Sequence, residues 1–229
     1  MDKRLALLIG CMAAGACLPA HAADSGAGLK LGTLGLGLEY EHRLTESLSG
    51  RLGFNALNFS HTVTSDDNDY DGDVQLRSFS ALLDWYPSSG SGFRVTAGAL
   101  YNGNEVDLTA TDTGQMTLGD TTYDITGTLH GNADFNKLAP YLGIGWNHVF
   151  GAHDRWSVGF DLGVMYQGSP DISLSAQGTY SEVGNPGNSG TVDSATFQDD
   201  LRREEANLEK ELEDYKYYPV LALTLVYRF

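Results

Sequence analysis

From residue 34 onward the chain alternates. Leu34, Leu36, Leu38 and Tyr40 occupy every second position, with Gly35, Gly37, Glu39 and Glu41 between them. The same period recurs over 48–56, 78–85, 93–102, 138–147, 156–167 and 221–229. Successive side chains of a strand point to opposite faces, so each run predicts a strand with one bulky apolar face and one small or polar face. Seven such runs of about ten residues, joined by turns, form the pattern of a transmembrane barrel. Alternation alone leaves open which face points inward, and a soluble lipocalin-like barrel would put its apolar face inside. Side-chain size favours the membrane arrangement: Gly, Ser and Thr fill the polar face, whereas Leu, Phe, Tyr and Trp fill the other, and a narrow interior accommodates only the first set. Tyr40, Trp85, Phe93, Tyr101, Trp146, Trp156, Tyr166 and Tyr227 fall near strand ends, where interfacial aromatic girdles sit.

The connections give orientation. Stretches 44–46, 87–92 and 151–154 are short, whereas 64–73, 103–136 and 168–216 are long. Outer-membrane barrels have short periplasmic turns and long external loops. Seven strands would leave the N-terminus outside. An eighth strand over Ser25–Gly32, turning around Thr33, restores an even count; the alternative is a segment that threads the lumen or caps the external rim. Within the long stretches, 105–109 and 123–129 alternate and predict a hairpin continuing beyond the membrane, and 172–180 reads the same way. Phe197, Leu201, Leu208, Leu212 and Tyr215 recur at helical spacing among charges, predicting a helix over 197–215 that packs its apolar stripe on the barrel rim or binds a partner. The expected fold is all-β: a closed antiparallel up-and-down transmembrane barrel of about eight strands, with one external helix before the last strand.

The N-terminus supports export. Lys3 and Arg4 precede a mostly apolar, uncharged stretch over 5–18, and Ala20-His21-Ala22 supplies an A-x-A cleavage pattern. This is the layout of a secretory signal over 1–22, leaving a single barrel domain over 23–229. Ala14-Gly15-Ala16-Cys17 is a looser, competing match to a lipoprotein site. Both cysteines, Cys11 and Cys17, lie in this segment, so the exported chain would hold neither a disulfide nor a thiolate site. No apolar run downstream is long enough for a membrane helix, so a membrane location requires a closed barrel, in which every backbone polar group is paired. The chain carries 14 Lys and Arg against 30 Asp and Glu. Such an acidic surface repels phosphate backbones and excludes nucleic acid as a partner.

The exported start, the Gly-rich alternating strands, the short turn between Tyr40 and Leu52 and the Tyr227-Arg228-Phe229 ending together resemble the small OmpA-like and OmpW-like barrels of Gram-negative outer membranes. The resemblance covers nearly all of the exported chain. It implies outer-membrane localisation, contact with outer-membrane lipid and lipopolysaccharide, and recognition of the Phe229 strand by the barrel-assembly machinery. The chain departs from the OmpA pattern in having no following peptidoglycan-binding domain and in carrying the acidic helix.

Candidate chemistry is sparse. Glu39, Glu41, Arg51, Asp84, Arg94, Asp161 and Arg228 are expected in the lumen, either as an ion-pair plug or as the lining of a narrow porin-like conduit. Inward glycines at 35, 37, 53, 98, 143, 145, 159 and 163 could leave a water path or could simply permit tight coiling. Asp67, Asp69, Asp71 and Asp73 match the first half of a calcium loop, but Ser78 stands where a bidentate Glu is required. Ser60-His61 sits at a strand edge with its two side chains on opposite faces, and His130 and His148 lack an evident partner, so no catalysis is expected. The functional expectation is a structural or surface protein, or a passive channel for small solutes. The alternatives are a lipid A-modifying enzyme and a soluble periplasmic ligand-binding barrel.

Overall fold

The computed structural model describes residues 24–229 apart from 66–67, 89, 112–113 and 151–154, and for 61–70 it describes the backbone alone. The expected signal segment and the 151–154 turn lie outside the described residues. In chain order the strands are β1 (Ser25–Gly32), β2 (Gly35–Thr45), β3 (Leu48–Ser65), β4 (Asn68–Trp85), β5 (Phe93–Asn102), β6 (Glu105–Thr111), β7 (Gln115–Leu118), β8 (Thr121–Asp134), β9 (Leu138–Phe150), β10 (Trp156–Tyr166), β11 (Asp171–Glu182), β12 (Asn185–Thr191) and β13 (Tyr217–Arg228). Helix α1 (Ala195–Glu211) precedes β13. No helix among the described residues is long and apolar enough to cross a membrane.

Eight strands close a ring in the order β1-β2-β3-β4-β5-β9-β10-β13, every pair antiparallel. The seam is the β1–β13 pairing, which runs from Gly26↔Arg228 to Gly32↔Ala222. Ser25–Gly32 is therefore the eighth strand, and the lumen-threading alternative falls. Closure removes every edge within the ring, which is what a sheet in hydrocarbon requires.

Pleating then sorts the side chains as their sizes dictate. Leu36 is 62% exposed and Leu142 is 64% exposed, while Arg51, on the other face of the wall, is 3% exposed. Leu29, Leu31, Leu52, Phe54, Leu83, Leu138, Leu221 and Leu223 continue the outward apolar belt. At one rim Phe93 packs on Trp146 and Trp156 on Tyr227, with ring centroids 5.1 and 5.0 Å apart; at the other, Tyr166 packs on Tyr217 at 5.4 Å. These pairs form the two girdles that flank the belt.

Leu34 departs from the expected pattern. Its alternation with Leu36 places it on the lipid face, but it is buried, because it sits in the Thr33-Leu34 turn rather than in a pleat, and folds over the lumen mouth. There it joins Leu82, Leu100, Ala139, Tyr141, Met165 and Val220 in an apolar cluster.

The same sheet continues outside the ring. β3 and β4, 18 residues each, continue as a hairpin beyond the ring, so most of the stretch expected as a long 64–73 loop is strand. The outer half of β4 pairs with β6, β6 with β8, β8 with β11 and β11 with β12, while β7 folds back on β8. The hairpin and the 172–180 strand expected beyond the membrane are thus present. Helix α1 begins at Ser194, whose hydroxyl accepts from Phe197 N, and ends at Leu212. It lies on this outer sheet rather than on the barrel rim: Phe197 and Leu201 bury against Leu118, Tyr123, Ile125, Tyr180 and Val192. Tyr215, expected in the helix, lies exposed in the turn that follows it.

The helix also covers part of a sheet edge. Glu205 accepts from Leu174 N at 2.7 Å and Glu209 from Ile172 N at 3.3 Å, both on the β11 side away from β8, and Glu204 accepts from Gly119 N at 3.0 Å. Edge N–H groups are thereby paired without another strand. At the centre of the contact, the buried Tyr123 hydroxyl donates to Asp200 at 2.7 Å. Burial, then the Asp200 hydrogen bond and charge, push the Tyr123 phenol up to about 12. A raised folded-state value means that this contact is intact below the ordinary tyrosine value near 10 and is lost as pH climbs through about 12. Amide exchange in α1 should therefore accelerate across that alkaline window, and Tyr123→Phe should flatten this component of the pH dependence. An unchanged profile in the variant would remove Tyr123 as its source.

Candidate functional site

The lumen is where the buried charges meet. Lys30 of β1, Glu39 of β2, Arg51 of β3, Asp84 of β4, Arg94 of β5 and Asp161 of β10 all project inward because each shares its pleat parity with the small residues of its strand. Every one is almost fully buried. Arg51 stands at the centre. Its guanidinium reaches Glu39 at 3.2 Å, Asp161 at 3.1 Å through both terminal nitrogens, and Asp84 Oδ1 at 3.0 Å. Arg51 Nε also lies 2.6 Å from Asp84 Oδ2, an ion contact without hydrogen-bond geometry. Arg94 Nη2 donates to Asp161 at 2.7 Å, and Arg94 Nη1 to Asn147. Lys30 donates to Glu39 at 3.1 Å, and Thr96 donates to Asp84 at 2.6 Å.

Three cations thus face three carboxylates, and the cluster is electrically balanced. Balance is a physical requirement here: an unpaired charge in this interior would carry the full desolvation penalty. Arg228 and Glu41 form a separate pair, 3.0 Å apart, nearer the mouth at the β2–β3 turn. That mouth opens into a vestibule of about 500 Å³ lined in part by Arg43, Tyr86, Asn147 and Arg228.

Next to the ion cluster, one to three inward positions further along β4, β5 and β10, lies the apolar cluster of Leu34, Leu82, Leu100, Ala139, Tyr141, Met165 and Val220. The inward glycines do not leave a path past it. A Cβ on Gly163 or Gly143 would fall 2.3 or 2.5 Å from the Tyr141 hydroxyl, so the Tyr141 ring occupies the space that these residues vacate. At Gly145 the Arg94 guanidinium does the same, at 2.9 Å. Two successive layers of buried side chains, one ionic and one apolar, lie in the lumen.

All seven expected lumen residues therefore project inward, five of them in one network and two in the Glu41–Arg228 pair. Lys30 was missed although its flanks, Leu29 and Leu31, carry the same alternation as every other strand. Of the acidic calcium candidates, Asp67 lies outside the described residues and the Asp69 side chain is not described. Asp71 and Asp73 lie on β4, opposite Thr109 and Asp107 of β6, in extended strand rather than in a loop. Among the described residues no group of three His, Asp or Glu side chains converges as a metal site. Ser60 pairs with Asp73 in the outer hairpin, and the His61 side chain is not described. His130, expected without a partner, bonds the Thr109 hydroxyl at 3.0 Å.

A ring of eight antiparallel strands with lipid-sized apolar residues outward, aromatic girdles and a packed polar interior has one known setting. The fold is that of a small outer-membrane barrel. Solved structures agree. The crystal structure of Acinetobacter baumannii CarO2 is similar at 22% identity with a TM-score of 0.59, covering 92% of this chain and all of that one. Acinetobacter baumannii CarO is similar at 22% identity and a TM-score of 0.56, covering 91% of this chain and 98% of that one. No protein-family model and no curated protein matches the chain.

Proposed function

We propose that this protein is an integral, non-enzymatic barrel of the bacterial outer membrane that anchors and presents its outer sheet and helix at the cell surface, with a lumen that does not conduct. The observation that carries the reading is the double closure of the lumen, a balanced ion network beneath an apolar layer. A passive channel needs a continuous hydrated path, and Tyr141, Met165 and Leu34 lie across it. The acidic character fits surface presentation: the buried network is neutral, so the formal net charge of −16 resides elsewhere in the chain.

Planar-bilayer recording on the purified protein tests this reading. The expected record is flat, without unitary steps, at potentials that drive current through an open porin. Reproducible steps from the wild-type barrel would reverse the assignment to a passive channel. Lipid A recovered unaltered from cells overproducing the protein would accord with the absence of catalysis, whereas loss or gain of an acyl chain would point to the enzyme alternative.

A further inference from the structure

On the lipid-facing side of β2–β5, an apolar groove of about 450 Å³ runs between the walls of Tyr40, Leu52 and Leu83 over the small residues Gly50, Ala81 and Ala97. We propose that it holds one acyl chain of a glycerophospholipid from the periplasmic leaflet, with the head group seated at Tyr40, Ser25 and His42. Two features beyond the groove itself support this occupant.

The first is Gly50. Other glycines of the ring strands lack a side chain for a reason visible in the fold. At Gly28, Gly32, Gly37 and Gly98 a Cβ would meet atoms within 2.2–2.6 Å, and Gly35 has a φ of +98°. Gly50 has neither constraint: its φ is ordinary, and its Cβ would meet only Leu44 Cδ1, at 3.7 Å. A glycine in a strand weakens it unless something must approach the backbone closely. Here the space above Gly50 is the groove.

The second is the polar end. The Ser25 hydroxyl lies 2.9 Å from His42 Nδ1 and 3.1 Å from the Tyr40 hydroxyl. This chain sits on the outer surface, four residues from the Glu46-Ser47 turn and hence at the periplasmic edge of the belt. In the tautomer in which Ser25 donates to Nδ1, Nε2 is a donor suited to a phosphate or ester oxygen. An apolar groove that adjoins such a donor, running across β2–β5 from His42 past Gly50 and Leu83 to Ala97, matches a phospholipid's pairing of polar head and acyl chain. An outer-leaflet lipid would enter from the opposite rim, and a second barrel would not need the hydrogen-bonding end.

The barrel is reconstituted in vesicles of phosphatidylethanolamine and phosphatidylglycerol and transferred to mild detergent, and the phospholipid it retains is counted by native mass spectrometry. Heat-modifiable migration confirms that each variant is folded. Wild type is expected to retain one phospholipid. Gly50→Leu, which fills the groove, and the double variant Ser25→Ala/His42→Ala, which strips its polar end, should each lower retention about tenfold. Val158→Leu, on the opposite wall, should leave it unchanged. Equal retention in wild type and Gly50→Leu overturns the proposal, as does a dimer that Gly50→Leu dissociates, which would make the groove an interface between copies. Conductance is untouched by either result, so failure here is separable from failure of the closed-lumen reading.

Discussion

Arg51→Ala should destabilise the barrel by about 3–5 kcal/mol, more than any other single truncation in the lumen. Arg51 contacts Glu39, Asp84 and Asp161, and its removal leaves three buried carboxylates with only Lys30 and Arg94 to balance them. The cost is mostly that of an unpaired buried charge, so a double variant that also neutralises Asp84 as Asn should recover much of it. Urea unfolding in phospholipid vesicles reads the difference, and the temperature at which the heat-modified band appears should fall in parallel. Conductance should nevertheless remain absent in Arg51→Ala. The Leu34–Tyr141–Met165 layer still closes the lumen above the vacated site. A wild-type-like stability would mean that water or a rearranged Arg94 already serves these carboxylates, and the network would lose its structural role.

Phe197→Ala should have the second largest effect, about 3–5 kcal/mol, confined to the outer module. Phe197 is fully buried, 5.0 Å from the Tyr180 ring and 5.2 Å from that of Tyr123. Truncation opens a cavity between helix and sheet and frees Glu204, Glu205 and Glu209 from the backbone groups they cap. The ring of eight strands shares none of these contacts. Limited proteolysis should therefore cut within 171–216 in the variant while the heat-modifiable barrel persists. Simultaneous loss of both would show that outer sheet and ring fold as one cooperative unit.

What could be read in the sequence and what could not divides along one physical line. A half-buried strand writes its environment in every second residue, so seven of the ring strands and most of the lumen charges were legible from alternation, their facing from side-chain size, and β1 only from the need for an even count. Leu34 was misread because a turn residue escapes the pleat that alternation reports. β12, with the sequence Asn-Pro-Gly-Asn-Ser-Gly-Thr, was invisible because it buries almost nothing and has neither apolar period nor β-branched content beyond its last residue. The continuation of β3 and β4 to Ser65 and Asn68 was hidden by acidic, turn-rich composition around residue 68, although the backbone pairs there without a break. Network geometry was legible only as a set of charges. That Arg51 contacts three carboxylates at once depends on the stagger of strands 110 residues apart, which no local pattern encodes.

The belt itself can be tested through the protein's own fluorophores. Its three tryptophans, Trp85, Trp146 and Trp156, all face outward, between 40% and 53% exposed. In vesicles of bromine-labelled phospholipid, fluorescence should be strongly quenched by bromines near the head groups and less by bromines at the bilayer centre. Fluorescence indifferent to the bromines at every depth would place these rings away from lipid and contradict a membrane-spanning barrel with its apolar face outward.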